Sequence, residues 1–296
     1  MNIVQVYKQY PTQDSCITHL EKVRWNGTPV CPYCKSTNST PAKKERRHHC
    51  NNCNTTFSVT VGTMFHKTKL DFQKWFVAIS LVLNAKKGIS ARQLARDIEV
   101  NKDTAWSMGM RIRKAMSEYG ALLEGIVEMD ETYIGGKPRK FATTVDKKTG
   151  EIIPIKNKRG RGTKKPAVIG MVERNGRVRA QVAKGAITAK LLNRIVKENV
   201  DTEKATMFTD EFRGYAYLAG FVQHKTINHK KHYVNGEIHT NTIEGFWGLF
   251  KRGIVGQYHK VSINHLGKYL AEFCFRYNNR NNVGVFDLTI AKALGV

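Results

Sequence analysis

The 296 residues predict a mixed α/β protein in which a small cysteine-bearing module and a helical module precede a larger α/β domain. Three observations carry this. Two CxxC pairs lie in the first sixty residues, apolar residues recur at helical spacing between Leu70 and Gly120, and beyond Gly125 short apolar runs alternate with helical patterns. The boundaries that follow are 1–65, 66–120 and 121–296. At 41% hydrophobic and 9% aromatic the composition is that of a folded chain, which excludes disorder throughout. Lys+Arg number 49 against 24 Asp+Glu, a formal charge of +25. A charge this large repels itself and points to a polyanionic partner.

The longest apolar stretch, Trp75 to Leu83, is about half of what a bilayer crossing needs, and MNIVQVYKQY lacks the apolar core of a signal peptide. The protein is therefore expected in the cytoplasm, on the nucleoid, with no membrane partner.

Within the helical module, LDFQKWFVAISLVLNAKKG reads as a helix ending at Gly88. Ser90 can cap a short helix through Ile98, Glu99 to Lys102 supply a turn, and Asp103 to Glu118 form a second amphipathic helix. The pair is a candidate helix-turn-helix, with Arg111, Arg113 and Lys114 as DNA contacts. Further on, IVEMDETYIGG reads as a strand, and PAVIGMV and RVRAQVA as a hairpin turning at Asn175 and Gly176. A helix from Thr188 to Asn199 follows, then the strand ATMFTDEF, a short helix around Gly214 to Ala219, a strand near Lys225 to His229 and a long helix from Asn241. The order is βββαβαβα. Eleven Lys+Arg between Lys137 and Lys165 mark a basic insertion too polar for a core.

Cys31, Cys34, Cys50 and Cys53 form two knuckles separated by fifteen residues, a spacing that lets four thiolates meet around one Zn²⁺. A module this small needs the metal to fold, and four thiolates leave no open position for catalysis. The zinc is structural. His48 and His49 are read as residues of a basic surface strand, and Cys16 and Cys274 as small buried hydrophobes.

Asp130 sits in an apolar strand, Asp210 ends another, and Glu244 opens the long helix that carries Phe246, Trp247 and Phe250. A carboxylate among Ile126, Val127 and Met129 costs several kcal/mol unless it is paired or binds metal. Divalent cations such as Mg²⁺ or Mn²⁺ take oxygen ligands and join phosphates, so three acids on core elements point to phosphodiester chemistry. The βββαβαβα order places Asp130 and Asp210 on adjacent central strands of an RNase H-like sheet. Glu128, Glu131 and Glu211 remain competitors, Glu128 because it shares a strand face with Asp130. Lys251 and Arg252 lie two helical turns past Glu244, where Lys251 returns to the same face and can hold a phosphate.

The segments MDETYIGG, FTDEFRGY, VNGEIHTNTIEGFWGLFKRGIVGQYHKVS and FRYNNR resemble those of bacterial insertion-sequence transposases of the ISXO-like group, members of the DDE superfamily, and the zinc ribbon is similar to theirs. The resemblance covers nearly the whole chain. It implies an enzyme that binds the terminal inverted repeats of its element, cuts there with Mg²⁺, and joins the 3′ ends to target DNA. It also implies Asp130, Asp210 and Glu244 as the catalytic triad, with Lys251 as the associated basic residue. Some relatives carry Asn as the third ligand, so Asn241, one turn before Glu244, stands as the alternative. Two ends must be held together, which predicts a homo-oligomer on double-stranded DNA. The other readings are a non-catalytic DNA-binding regulator, which would have lost at least one acid, and an RNase H-like nuclease, which leaves two DNA-reading modules unexplained.

Overall fold

The structure is a computed structural model and describes residues 1–118, 120–136, 143–154, 163, 165–227 and 239–296. It divides into two compact units, Met1–Glu118 with Asn279–Val296, and Tyr119–Asn278.

The first unit opens with helices α1 (Ile3–Gln9) and α2 (Gln13–Trp25), each started by a capping box, Asn2 with Gln5 and Thr12 with Ser15. Strands β1 (Ser39–Ala42), β2 (Arg47–Cys50) and β3 (Thr55–Phe57) form an antiparallel sheet in that order. Helix α3 (Phe72–Asn84) is apolar nearly all round and is the most buried of this unit. Ser90 caps α4 (Ala91–Asp97) by accepting the Gln93 N–H at 3.2 Å, and Asn101 caps α5 (Lys102–Ala115) by accepting that of Thr104 at 2.7 Å. The four residues between the helices reverse the chain, with Glu99 at positive φ.

In the second unit, strand β4 (Leu123–Tyr133) is central. A two-stranded hairpin, β5 (Thr143–Val145) and β6 (Ile152–Pro154), occupies the described part of the basic insertion, most of whose cations lie outside the described residues. Strands β7 (Ala167–Glu173) and β8 (Val178–Val182) make the expected hairpin, in which Asn175 adopts φ +61°. Helix α6 (Ala189–Asn199) leads into β9 (Val200–Thr209), then a 3-10 helix (Arg213–Gly220) and β10 (Gln223–Thr226). Helices α7 (Asn241–Gly253) and α8 (Ile263–Asn278) complete the unit. The sheet order is β10-β9-β4-β7-β8, with β10, β9 and β4 parallel and β7 and β8 antiparallel. The meander followed by alternating units is the order read from the sequence.

The two sheet faces have different tasks. Val127, Met129, Ile169 and Met171 point to one face and pack with Leu192, Ile195 and Val196 of α6. The intervening residues point to the other, where α7 lies. Gly170, paired with Asp130, is what lets α7 approach: a Cβ there would stand 2.6 Å from Trp247 Cη2 and 3.1 Å from Ile243 Cδ1. Both neighbours are buried core groups with nowhere to go, so Gly170→Ala is expected to destabilise the unit by about 1–3 kcal/mol. A denaturant midpoint equal to wild type would show that α7 can shift.

The C-terminal helix α9 (Val285–Leu294) buries Phe286, Ile290, Ala293 and Leu294 in the first unit, against α2, α3 and α5. The last eighteen residues thus group with the N-terminal elements rather than with the preceding α/β unit, because their apolar stripe matches the open faces of those helices. Among the described residues, no helix is long and apolar enough to cross a membrane.

Candidate active site and metal centre

The four cysteines converge as their spacing predicts. Their sulfurs all lie within 4.8 Å of one another, with Cys31 to Cys53 at 3.7 Å and Cys34 to Cys50 at 3.5 Å. Tetrahedral Zn–S bonds of about 2.3 Å separate sulfurs by roughly 3.8 Å, so the donor set fits Zn²⁺ with little adjustment. Backbone N–H groups of Cys53 and Asn52 stabilise the Cys50 thiolate and bring its pKa down to about 7. His48 departs from the surface role read for it: it is 8% exposed, sandwiched with Trp25 and Phe57, and its Nε2 lies 2.9 Å from Glu21 Oε1. An imidazole held there belongs to the core of the ribbon. Purified protein is expected to carry one zinc per chain and Cys50→Ser to lose it. Elemental analysis settles the first point, and wild-type protein without stoichiometric zinc would refute it.

The acids gather at the end of the larger sheet. Asp130 pairs with Gly170 on one side, and on the other the parallel register that matches Glu128 with Phe208 carries on to bring Asp210, one residue past β9, alongside Asp130. Asp210 Oδ1 accepts the Phe212 N–H at 3.0 Å, which turns the chain into the 3-10 helix. Glu244 is exposed in the first turn of α7 and accepts a hydrogen bond from Thr240 Oγ1 at 3.2 Å. Burial first, then the carboxylates of Glu131, Asp210 and Glu244 in that order, push the Asp130 carboxyl up to about 7. A divalent cation would relieve this accumulation of negative charge, and the oxygen donors suit Mg²⁺ or Mn²⁺. As they stand the three acids are looser than the cysteines, the one group of ligand atoms this close among the described residues.

Glu128, the competitor on the Asp130 face, has another task. Its carboxylate is fully buried and accepts the N–H groups of Thr242 at 2.8 Å and Ile243 at 3.1 Å, the Thr242 hydroxyl at 2.9 Å and Arg174 Nε at 2.7 Å. The two N–H groups are first-turn donors of α7, and no side chain of the preceding residue caps them. A carboxylate 114 residues upstream therefore caps the helix that presents Glu244. Arg174 closes the network by donating through Nη2 to the His239 carbonyl at 3.0 Å. Glu131 points to the opposite face, where its Oε2 accepts from the buried Tyr215 hydroxyl at 2.6 Å.

The basic residues divide. Lys251 and Arg252 are exposed in the last turn of α7, as the helical spacing requires. On α5, Lys114 is exposed and Arg111 is exposed with its guanidinium donating to the Met64 and His66 carbonyls at 3.2 Å each. Arg113 is not a surface group: it is 4% exposed, folded back over Gly109 on its own helix, where the missing side chain leaves room. Its reading as a DNA contact is corrected accordingly.

Residues 122–278 match the ISXO2-like transposase domain, and residues 11–56 match a transposase zinc-ribbon domain. The chain is 28% identical over 280 residues to an uncharacterised protein in the transposable element ISH50 of Halobacterium salinarum, covering 91% of this chain and 92% of that one. Looser likenesses are to the pre-cleavage Mos1 transpososome (14% identity, 73% of this chain and 75% of that one, TM-score 0.29) and the Mos1 strand transfer complex (13%, 74% and 75%, TM-score 0.28). With the domain match spanning more than half of its length, the chain belongs to the ISXO2-like transposase family.

Proposed function

We propose that this transposase binds the terminal inverted repeats of its own insertion sequence and carries out metal-dependent strand cleavage and strand transfer on an RNase H-like sheet. The observation that carries the reading is Asp130: a half-buried carboxyl on the central strand, pushed up to about 7 by burial and then by the carboxylates of Glu131, Asp210 and Glu244. A regulator that had given up chemistry would gain by losing such a strained cluster.

Asp130, Asp210 and Glu244 would hold Mg²⁺ or Mn²⁺, which when bound supplies the charge that activates the attacking oxygen and stabilises the leaving one. The chain's own residues do the rest. Glu128 and Arg174 hold the N-terminus of α7, the turn that carries Glu244 within electrostatic reach of Asp130, and Lys251, about 10 Å along the same helix, would neutralise a DNA phosphate. Asp130, whose carboxyl is pushed up by burial and by neighbouring carboxylates, would be the ligand whose ionised form a bound cation favours most. The α4–α5 pair, with Arg111 and Lys114, and the zinc ribbon would read the repeat sequence. The chain would act as a homo-oligomer, since two ends are joined to one target.

The test is to incubate zinc-loaded protein and Mg²⁺ with duplex DNA carrying the repeats that flank its gene, together with a target plasmid. Nicked ends and joined products support transposition. Cleavage without joining would make the protein a nuclease, and binding without cleavage a regulator.

A further inference from the structure

Helix α6 and the 3-10 helix after β9 border a groove of about 560 Å³ on the sheet face opposite α7. The inner side of α6 is apolar and buried. Its outer side carries Lys190, Arg194 and Lys197 at i, i+4 and i+7, a row about 10 Å long, with Glu198 on the same lining 3.8 Å from Arg194 and the Lys197 ammonium over the Phe221 ring at 4.8 Å. Any amphipathic surface helix shows a charged outer row, so the row alone assigns nothing. One further feature is not explained by solvation. Tyr217, on the facing wall, is 68% exposed with its ring open to the groove.

Topology puts one end of this groove near the acids. Val182 at the end of β8 is level with Val168, and Val168 with Thr132, two residues past Asp130. The chain then runs through α6 back to Val200, opposite Leu123 at the start of β4. Lys190 therefore lies at the Asp130 end of the sheet and Lys197 at the far end. The 3-10 helix carrying Tyr217 starts three residues after Asp210.

We propose that this groove is a subsite for unpaired DNA: the row of cations takes backbone phosphates and Tyr217 stacks one base. Cations beside an exposed aromatic ring are the recognition chemistry of single strands, because an unpaired base offers a π-face that a duplex hides. The inference rests on the reading of the acids as the cleavage site, and it gives a strand released there a track over the end of the sheet.

The test uses full-length, zinc-loaded protein without added divalent cation, and reads fluorescence anisotropy of a labelled oligothymidylate and of a random-sequence duplex of equal length. Tyr217→Ala is expected to weaken single-strand binding about tenfold and leave the duplex within about twofold, while Tyr217→Phe binds both as wild type does. The double variant Lys190→Gln/Arg194→Gln should make the slope of log K against log salt for the single strand shallower by about 1.4. Equal losses for both DNAs, an unchanged single-strand affinity in Tyr217→Ala, or a loss in Tyr217→Phe would each overturn the proposal. The outcome is separable from cleavage. Wild-type protein that fails to cut end DNA but binds single strands through Tyr217 sinks the cleavage reading alone.

Discussion

Asp130→Asn is expected to abolish strand cleavage and, at the same time, to make the protein more stable at neutral pH. The first effect follows from the proposed metal role, in which loss of a ligand oxygen is worth several kcal/mol and so at least a thousandfold in rate. The second follows from the carboxyl being held at about 7 against an ordinary 3.8. A group whose pKa is raised by folding stabilises the folded state while it is protonated in both states. That advantage drains away as pH rises through the window between the two values, because ionisation is free in the unfolded chain and costly beside Glu131 and Asp210. Above pH 7 the full penalty is present in wild type and absent from the amide, at most about 4 kcal/mol. The melting temperatures of the two proteins should therefore coincide below pH 4, separate between pH 4 and 7, and stay apart above it. Added Mg²⁺ should narrow the gap at pH 8, because the cation stabilises only the protein that still carries its ligand. A gap that is constant from pH 4 to 8 would refute the origin of the effect, and cleavage within tenfold of wild type would refute the role.

What the sequence revealed depended on whether the signal was local. The knuckles at Cys31 and Cys50 were legible because ligand spacing within a short loop is itself the geometry. Asp130 and Asp210 stood out because an acid in a run such as IVEMDETY breaks the apolar pattern of its own strand. Glu128 breaks the same pattern two residues earlier, and nothing local tells the two apart. What distinguishes them is the pair of N–H groups of Thr242 and Ile243, which arrive from 114 and 115 residues away. Arg113 misled for the converse reason. Helical spacing places it with Lys114 on the outer side of α5, while the slot that swallows it exists only because residue 109 is glycine. The C-terminal apolar segment was recognisable as a helix that packs, but its partners α2, α3 and α5 are more than 160 positions away, and an apolar stripe names no partner. Residues 228–238, including the predicted strand end at His229, lie outside the described residues.

The last prediction separates Glu244 from Asn241. Glu128 takes the first-turn donors of α7, and Asn241 is exposed. Among the described residues, the Asn241 side chain makes no hydrogen bond that its loss would disturb. Glu244 is among the charges that act on Asp130, and the Thr240 hydroxyl at 3.2 Å steadies one of its oxygens. An anionic oxygen binds a hard divalent cation far better than a neutral amide. Glu244→Gln is accordingly expected to lose cleavage by at least a thousandfold, with its fold and its affinity for end DNA intact. Asn241→Ala should stay within about tenfold of wild type, or up to a hundredfold below it if the amide holds a metal-bound water. Both should melt within about 2 °C of wild type in the absence of divalent cation, since each side chain is exposed. Metal titration sharpens the comparison: Glu244→Gln should require much more Mn²⁺ for any residual activity, while the midpoint for Asn241→Ala stays near that of wild type. Should the glutamine variant remain active while the alanine variant is dead, the third ligand is Asn241. The role of Glu128 as the cap that positions α7 would be unchanged, because it orients both residues through the same turn.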